Sequence, residues 1–220
     1  MRSRTQLIIL LLKEGLDPGQ ILTRLEFRRA LQGCGKVLEV GCGKTPNMKW
    51  LGIQNSTGID GYAPYVAEAR NGGLHAEIVV GDVRELDRYF KAGQFDTVVA
   101  LDVIEHLTKE DGLQMMRSME KIASRKVIFY TPSGFLPQHS FENNDLQEHL
   151  SGWEAEEMKQ LGYRVTGVLG PKTLRGEMHV LKGQPKIFWG FISLVAHFLW
   201  TRWAPSKAAA ILCVKTMKGS

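Results

Sequence analysis

Short apolar runs alternate with helix-like segments through the middle of this chain of 220 residues. This alternation is typical of strand–helix–strand units, in which parallel strands form a sheet that helices cover on both faces. Seven strands are predicted, at residues 36–40, 56–60, 76–80, 95–101, 126–130, 163–168 and 209–216. The sequence therefore favours an α/β fold built on a mostly parallel sheet.

The composition is that of an ordinary globular chain, with 44% hydrophobic and 23% charged residues. These proportions exclude a disordered, collagen-like or disulfide-stapled protein. The three cysteines, Cys34, Cys42 and Cys213, form no C-x-x-C pair, which favours a reducing compartment and argues against a cysteine-rich zinc site. The apolar run Leu7–Leu12 is too short for the hydrophobic region of a signal peptide, so we expect a cytoplasmic protein.

The first predicted strand runs into a glycine loop that contains Glu39, Gly41 and Gly43. Glycines at such a turn let the backbone approach a ligand closely. A dinucleotide fingerprint would need a third glycine where Pro46 stands, and a P-loop would need its first glycine where Leu38 stands. The remaining pattern, acidic-x-Gly-x-Gly, suits a ligand with a charged amino acid portion and no pyrophosphate.

Two aspartates end the next two predicted strands. Asp60 could accept hydrogen bonds from both hydroxyls of a ribose, and Asp82 could accept one from the exocyclic amine of an adenine. Each aspartate taken singly could merely end its strand in a turn. Together with Glu39 they place acidic residues on three successive strands, near the edge where open α/β sheets bind ligands.

Two helix starts are also predicted from capping residues. Thr45 suits an N-cap, with Pro46 at the first helical position of the helix that follows the glycine loop. Ser151 followed three residues later by Glu154 has the spacing of a capping box. We therefore expect helices to begin directly after Thr45 and after Ser151.

Four motifs in order, VLEVGCGKTP, GIDGY, GDVREL and FDTVVALDVIEHL, resemble those of the class I S-adenosylmethionine-dependent methyltransferases over roughly residues 34–135. The resemblance implies a Rossmann-like α/β fold whose seven-stranded, mostly parallel sheet has helices on both faces and an antiparallel last strand. It also implies S-adenosylmethionine as the cofactor. The implied contacts are Glu39, Gly41 and Gly43 to its methionine part, Asp60 to the ribose, Asp82 and Val83 to the adenine, and the backbone near Leu101.

Methyl transfer from a sulfonium requires alignment, exclusion of water and, for an oxygen or nitrogen acceptor, removal of a proton. His106, directly after the fourth strand, and His149, beyond a polar stretch, are predicted as the bases. The pair Glu105-His106 also resembles a family pattern that can simply shape the pocket. Asp102, Glu105 and His106 resemble a divalent-metal arrangement of some quinone and small-RNA methyltransferases, but aspartate replaces the usual first glutamate, so we expect no metal.

The positive charge is concentrated at the end of the chain. Residues 51–160 carry 10 Lys and Arg against 18 Asp and Glu, whereas residues 161–220 carry 9 against 1. Within this tail, the segment Ile187–Trp203 is apolar and tryptophan-rich, with Gly190, Ser193, His197 and Thr201 forming a narrow polar stripe at helical spacing. Basic flanks around tryptophans suit a membrane interface, whereas packing on the sheet, on the substrate pocket or on a second subunit is the alternative. Nucleic acid is disfavoured because the basic residues are interleaved with apolar ones.

The sequence thus predicts an N-terminal helical segment at 1–33 and a methyltransferase domain at 34–220, with an apolar helical insertion at about 183–204. The predicted enzyme is cytoplasmic, with peripheral membrane attachment left open. It methylates a small-molecule or lipid-like acceptor, preferably at oxygen. A nicotinamide-dependent oxidoreductase and a non-catalytic cofactor-binding protein, recruited to a membrane or a partner by the C-terminal helix, are the alternatives.

Overall fold

The computed structural model describes residues 18–140 and 144–217. The apolar run Leu7–Leu12 and the first half of the predicted segment 1–33 lie outside the described residues. The helices are α1 (Pro18–Ala30), α2 (Asn47–Leu51), α3 (Ala63–Asn71), α4 (Lys109–Ile122), α5 (Ala155–Gln160) and α6 (Lys186–Ala196), which continues into a π-helical turn at His197–Thr201. Short 3-10 turns lie at Val83–Arg88, Ile104–His106, Asp145–Gln147, Lys172–Leu174, Glu177–His179 and Pro205–Lys207.

A seven-stranded sheet forms the centre of the fold. Its strands are β1 (Val37–Val40), β2 (Ser56–Asp60), β3 (Glu77–Val80), β4 (Phe95–Leu101), β5 (Ala123–Pro132), β6 (Arg164–Pro171) and β7 (Ala208–Thr216). They lie in the order β3-β2-β1-β4-β5-β7-β6; the first five pair in parallel, and β7 runs antiparallel to both of its neighbours. The predicted fold class, with its antiparallel last strand, is confirmed.

Helices cover both faces because the central strands carry buried apolar residues on both sides. In β4, Val98 belongs to a cluster that contains Met115 of α4, whereas the next residue, Val99, belongs to a cluster with Phe27 of α1 and Met48 of α2. Successive side chains of a strand point to opposite faces, so a run of apolar residues identifies a strand buried on both sides. Burial on both sides therefore fixes the sheet between its two layers of helices.

Helix α2 begins one residue later than its capping residues predict. Its first residue is Asn47 and its N-cap is Pro46, so the prediction of Thr45 as the N-cap is wrong. The side chain of Asn47 donates to Oε1 of Glu39 at 3.1 Å, which ties the start of the helix to β1. A buried acceptor that needs a donor therefore helps to set where this helix starts.

Helix α5 likewise begins after Glu154 rather than after Ser151. The carboxylate of Glu157 accepts the N–H of Glu154 at 3.4 Å, as in a capping box displaced by three residues. Ser151 is buried, and its hydroxyl donates to the carbonyl of Ile104 at 3.3 Å and accepts from Nε1 of Trp153 at 3.1 Å. These tertiary partners replace the local capping role.

Helix α6 lies between β6 and β7 in the chain and packs against α1 and β6. The residue after its π-helical turn, Arg202, forms an ion pair with Glu26 of α1 at 2.8 Å. Within 18–140 and 144–217, no helix combines the length and the apolar character that crossing a bilayer requires.

Candidate functional site

The loops after β1, β2, β3 and β4 surround a cavity of about 640 Å³ at the carboxyl edge of the sheet, which we call the edge cavity. The chain reverses direction across the sheet between β1 and β4, and open α/β sheets bind ligands where this happens. Six of the predicted site residues line it: Gly41, Gly43, Asp60, Asp82, Val83 and His106. The volume is in the range of small-molecule and cofactor pockets.

The two loop glycines that line this cavity have different roles. Gly41 and Gly43 have φ angles of 65° and 52°, which favour residues without a Cβ. A Cβ at Gly41 would lie 2.5 Å from Cγ2 of Val103, whereas a Cβ at Gly43 would meet nothing within 4 Å. The first glycine therefore permits close packing of the loop, and the second leaves space open.

The carboxylate of Asp60 is held by backbone groups of two loops. Its Oδ2 accepts the N–H of Gly43 and its Oδ1 accepts the N–H of Tyr62, each at 2.8 Å. Partial burial raises the pKa of this carboxyl, while the two N–H groups oppose that shift. Each oxygen retains a second lone pair, so the fixed carboxylate can still accept hydrogen bonds from a ligand.

Asp82 is already engaged with Arg84. The guanidinium of Arg84 donates to both carboxylate oxygens, with Nη2 at 2.6 Å from Oδ2, and its backbone N–H donates to Oδ1 at 2.9 Å. These interactions lower the pKa of the Asp82 carboxyl. Asp82 therefore remains ionised, and its free lone pairs border the edge cavity.

Two predicted cofactor residues do not line the edge cavity. Glu39 is 1% exposed beneath the glycine loop, where Asn47 donates to Oε1 and Nε2 of His75 lies 3.3 Å from Oε2. Burial raises the pKa of Glu39 to about 8. Leu101 lines a second cavity instead. Glu39 supports the loop from below, and Leu101 faces away from it.

The outer wall of the edge cavity is the end of the polar stretch that precedes His149 in the sequence. It consists of residues 144–150, which follow β5, with Leu146 and Leu150 each more than half exposed. Hydrogen bonds hold this wall to the turn after β4, because the carbonyl of Glu105 accepts the N–H groups of Leu150 and Ser151 at 2.8 and 3.0 Å. The polar stretch is visible in the sequence, but the hydrogen bonds that hold it beside the cavity join distant parts of the chain.

The lining of the edge cavity is strongly acidic. It contains five aspartates, at positions 60, 82, 102, 111 and 145, and a single arginine, Arg84. Arg84 is already paired with Asp82, so most of the remaining charge is negative. Such a lining favours a ligand that carries positive charge.

Asp102 stands in an uncommon backbone conformation directly after β4. Its φ angle is 53°, and its N–H donates to the carbonyl of Tyr130 at 2.9 Å. A positive φ outside glycine is rare and is often found at functional sites. Surrounding protein atoms raise the pKa of its carboxyl, an effect that solvent limits because the residue is exposed to the edge cavity.

The structure brings the two predicted catalytic histidines together, with ring centroids 4.7 Å apart. His106 lines the edge cavity, whereas His149 is 8% exposed and lies behind it. Nδ1 of His106 lies 3.1 Å from the carbonyl of Glu148, and Nδ1 of His149 lies 2.6 Å from the carbonyl of Leu136. Because carbonyls only accept, Nδ1 carries the proton in both neutral rings. Burial lowers both pKa values, that of His106 to about 4.

Glu105 joins the two histidines in a cluster that could hold a metal ion. One ligand atom from each of Glu105, His106 and His149 lies within 4.8 Å of the other two. Oε2 of Glu105 accepts from Thr131 at 3.0 Å, while Oε1 is buried without a hydrogen-bond partner among the described residues. Burial raises the pKa of Glu105 well above its usual value, and its carboxyl also interacts with that of Asp102, so a divalent cation bound beside the two ring nitrogens would have to displace a proton.

A second cavity of about 280 Å³ lies between α1 and the ends of β4 and β5, and we call it the α1 cavity. Half of its lining residues are apolar or aromatic, namely Phe27, Trp50, Leu51, Leu101, Tyr130 and Leu169, and the polar half includes Gln20, Thr23, Arg24, Asn47 and His179. Asp102 lines both this cavity and the edge cavity. The two spaces therefore meet at one carboxyl group.

Residues 37–125 match a family model described as a methyltransferase domain. The matched segment runs from β1 to the start of β5, so it includes the four strand-end loops of the edge cavity. No curated protein matches the chain in sequence.

Solved structures share the fold over nearly the whole chain. A SAM dependent methyltransferase from Archaeoglobus fulgidus is 16% identical, with a TM-score of 0.56 over 96% of this chain and 99% of that one. The PH0226 protein from Pyrococcus horikoshii OT3 is 17% identical, with a TM-score of 0.56 over 90% of each chain. Magnesium protoporphyrin IX methyltransferase from Synechocystis PCC 6803, with bound SAM, is 16% identical, with a TM-score of 0.50 over 91% and 80%. At identities this low, the comparisons show a common fold and do not extend to the activity of these proteins.

Proposed function

We propose that the chain is a class I S-adenosylmethionine-dependent methyltransferase that methylates an oxygen atom of a small or lipid-like acceptor. The observation that carries this proposal is the meeting of two unlike cavities at Asp102. The acidic edge cavity suits a cationic cofactor, and the α1 cavity, half of whose lining is apolar or aromatic, suits an acceptor. A nicotinamide-dependent oxidoreductase and a non-catalytic cofactor-binding protein are not favoured by the family match.

In this proposal S-adenosylmethionine occupies the edge cavity. Gly41 and Gly43 give its methionine part room, Asp60 accepts from the ribose hydroxyls, and Asp82 with Val83 borders the adenine. The negative lining balances the sulfonium and the ammonium of the cofactor. Glu39 acts indirectly, because it supports the glycine loop without reaching the cavity.

The acceptor lies in the α1 cavity with its hydroxyl directed at Asp102. Its oxygen attacks the methyl carbon, the bond from that carbon to sulfur breaks, and the hydroxyl proton passes to a base. A base must lie within reach of the proton that it removes. Asp102 meets that condition better than His106, because its accessible side chain lines both cavities whereas His106 lines only the edge cavity. We therefore assign proton removal to Asp102, with His106 and His149 shaping the site beside it.

Cofactor choice is tested by thermal unfolding in the presence of S-adenosylhomocysteine, NAD or ATP. At about 100 times its dissociation constant, a ligand of the native state adds about 2.7 kcal/mol to the free energy of unfolding. We expect a rise of the melting temperature with S-adenosylhomocysteine alone. A rise with NAD and none with S-adenosylhomocysteine would overturn the assignment.

The reaction is tested by mass spectrometry of a metabolite extract incubated with enzyme and S-adenosylmethionine that carries a deuterated methyl group. We expect one labelled product whose fragmentation places the methyl group on oxygen. With that acceptor, Asp102→Asn should lower kcat by about 100-fold or more while S-adenosylhomocysteine still binds. Asp87→Asn, which changes a carboxylate outside both cavities, is the matched control. A larger loss in His106→Gln than in Asp102→Asn would return the base assignment to His106.

A second candidate function of the cluster of Glu105, His106 and His149 is to bind a metal ion. The buried Oε1 of Glu105, which has no hydrogen-bond partner among the described residues, favours this function. Glu105, His106 and His149 would hold the ion, which would bind the acceptor oxygen and lower its pKa. Calorimetric titration of chelator-treated enzyme with Mn²⁺ distinguishes metal binding by the cluster from a role in shaping the site. Binding that Glu105→Gln abolishes, together with activity that chelation removes and Mn²⁺ restores, would establish the metal; full activity after chelation would exclude it.

A further inference from the structure

Helix α6 and its π-helical turn present their apolar side to solvent and their polar stripe to the protein. Gly190, Ser193, His197 and Thr201 are buried against the rest of the fold. The large apolar side chains on the other side are mostly half or more exposed, namely Ile187, Phe188, Phe191, Phe198, Leu199 and Trp200, and Trp203 follows them. This arrangement is the reverse of an ordinary surface helix, whose apolar stripe faces the core.

Close packing on β6 fixes this orientation. The hydroxyl of Ser193 donates to the carbonyl of Leu169 at 2.8 Å and accepts from Nη2 of Arg175 at 3.2 Å. A Cβ added at Gly170 would collide with Ser193, and one added at Gly167 would collide with the carbonyl oxygen of Thr201. There is no room for a phenylalanine or a tryptophan in this contact, so the helix cannot turn its apolar side inward.

The resulting surface is a contiguous apolar face, which we call the α6 face. Leu199 is 78% exposed and Trp203 is 76% exposed. Apolar patches of this kind on a protein surface mark sites of interaction rather than single tolerated residues. We therefore expect a binding partner to cover the α6 face.

The charges around the α6 face identify what covers it. Lys186 begins the helix and Lys207 follows it, both with exposed side chains, and Lys182 lies a few residues before it. The sequence contains no Asp or Glu after Glu177. A second copy of the chain would bring these cations against their counterparts, which disfavours a symmetric contact. An anionic surface would be attracted to them.

The aromatic residues point to the same partner. Tryptophan rings are favoured at the headgroup level of a bilayer, where the ring is half in apolar and half in polar surroundings. A helix that is too short to cross a bilayer can lie in the plane of the interface with its apolar side inserted. Phe191, Leu199 and Trp203 are placed for such insertion, with the lysines at headgroup level.

We propose that the α6 face docks the enzyme in the plane of an anionic lipid bilayer. The partner is the lipid surface itself, and the contact is separate from both cavities, since no residue of α6 lines either one. Membrane docking therefore stands or falls independently of the methylation proposed above.

Co-sedimentation of the full chain with vesicles tests this docking. We expect the protein to pellet with vesicles of phosphatidylcholine mixed with phosphatidylglycerol, less with phosphatidylcholine alone, and less again at high salt. Phe191→Asp/Leu199→Asp should reduce the partition coefficient by about tenfold or more, because both side chains leave the apolar phase. Both residues are exposed, so the double variant should keep its melting temperature and its affinity for S-adenosylhomocysteine.

Two charge-reversal double variants, one at the α6 face and one elsewhere as its matched control, test the role of the lysines. Lys186→Glu/Lys207→Glu should weaken binding to the anionic vesicles by about tenfold. Lys91→Glu/Arg117→Glu changes the net charge equally at exposed positions of other elements and should bind nearly as well as the wild type. Failure of the wild-type chain to pellet, equal loss in both charge variants, or an α6-dependent dimer in solution without vesicle binding would overturn the proposal.

Discussion

Glycines have opposite roles at the carboxyl edge of the sheet and beneath helix α6. At the edge, a Cβ on Gly43 would meet nothing within 4 Å, whereas on β6 a Cβ on Gly170 would collide with Ser193, although both glycines have positive φ angles. Gly43 leaves space for a ligand, whereas the space beside Gly170 is occupied by a neighbouring helix. A small residue in a sequence therefore indicates close approach, but the structure decides what approaches.

The largest expected effect breaks the contact beneath α6. Gly170→Ala should lower the free energy of unfolding by about 3 kcal/mol, because the new methyl group meets Ser193 and the backbone has a φ angle of 71°. Gly43→Ala, which adds the same strain in open space, should cost about 1 kcal/mol. Urea denaturation measures both. Equal losses would mean that backbone strain alone accounts for both, with no contribution from the contact between Gly170 and Ser193.

The next effect concerns ligand binding at the edge. Asp60→Ala should weaken S-adenosylhomocysteine binding by about 100-fold, since it removes a fixed, charged acceptor from the cavity. Asp87→Ala is the control, because that carboxylate lies outside the cavity. Isothermal calorimetry gives both affinities, and an unchanged affinity in Asp60→Ala would remove this residue from the binding site.

A pH effect follows from Glu39. Its pKa is about 8 in the folded chain, against an ordinary value of 4.5, so the folded state retains a proton that the unfolded state releases. Stability should therefore fall as the pH rises from 4.5 towards 8. Glu39→Gln should remove about 1 kcal/mol of this fall between pH 6.5 and 7.5. Glu77→Gln, at an exposed position of β3, should leave the slope unchanged when urea denaturation is repeated at each pH.

The smallest effect is expected on the α6 face. Leu199→Ser should change the free energy of unfolding by less than about 0.5 kcal/mol, because the side chain is 78% exposed. Leu212→Ser, in buried β7, should cost about 3 kcal/mol in the same denaturation experiment. A large loss in Leu199→Ser would show that the α6 face is packed against protein in the native state.

The strand-end residues were predictable because strands and glycine turns depend on short-range patterns. The seven strands lie at the predicted positions, with their ends displaced by at most three residues. Parallel strands align their carboxyl ends, so Asp60 and Asp82 had to meet at one edge. Whether these residues bind the proposed cofactor stays a prediction until binding is measured.

Other parts of the site depended on contacts that no local pattern encodes. The wall at 144–150 is held by the carbonyl of Glu105, and His149 reaches His106 across more than forty residues of sequence. Thr45 and Ser151 were wrongly predicted to begin helices, because α2 starts after Pro46 and Ser151 is used in tertiary hydrogen bonds. Local capping rules fail where a buried polar group finds a distant partner.

The sequence by itself determined the strands, the glycine loop, the acidic edge and the existence of an apolar helix with one polar stripe. It did so because each of these depends on residue types a few positions apart. The tertiary structure alone decided that the polar stripe faces inward and that two cavities meet at Asp102. Both outcomes depend on which distant surfaces approach: small residues of α6 fit against Gly167 and Gly170, and α1 closes over the end of β4.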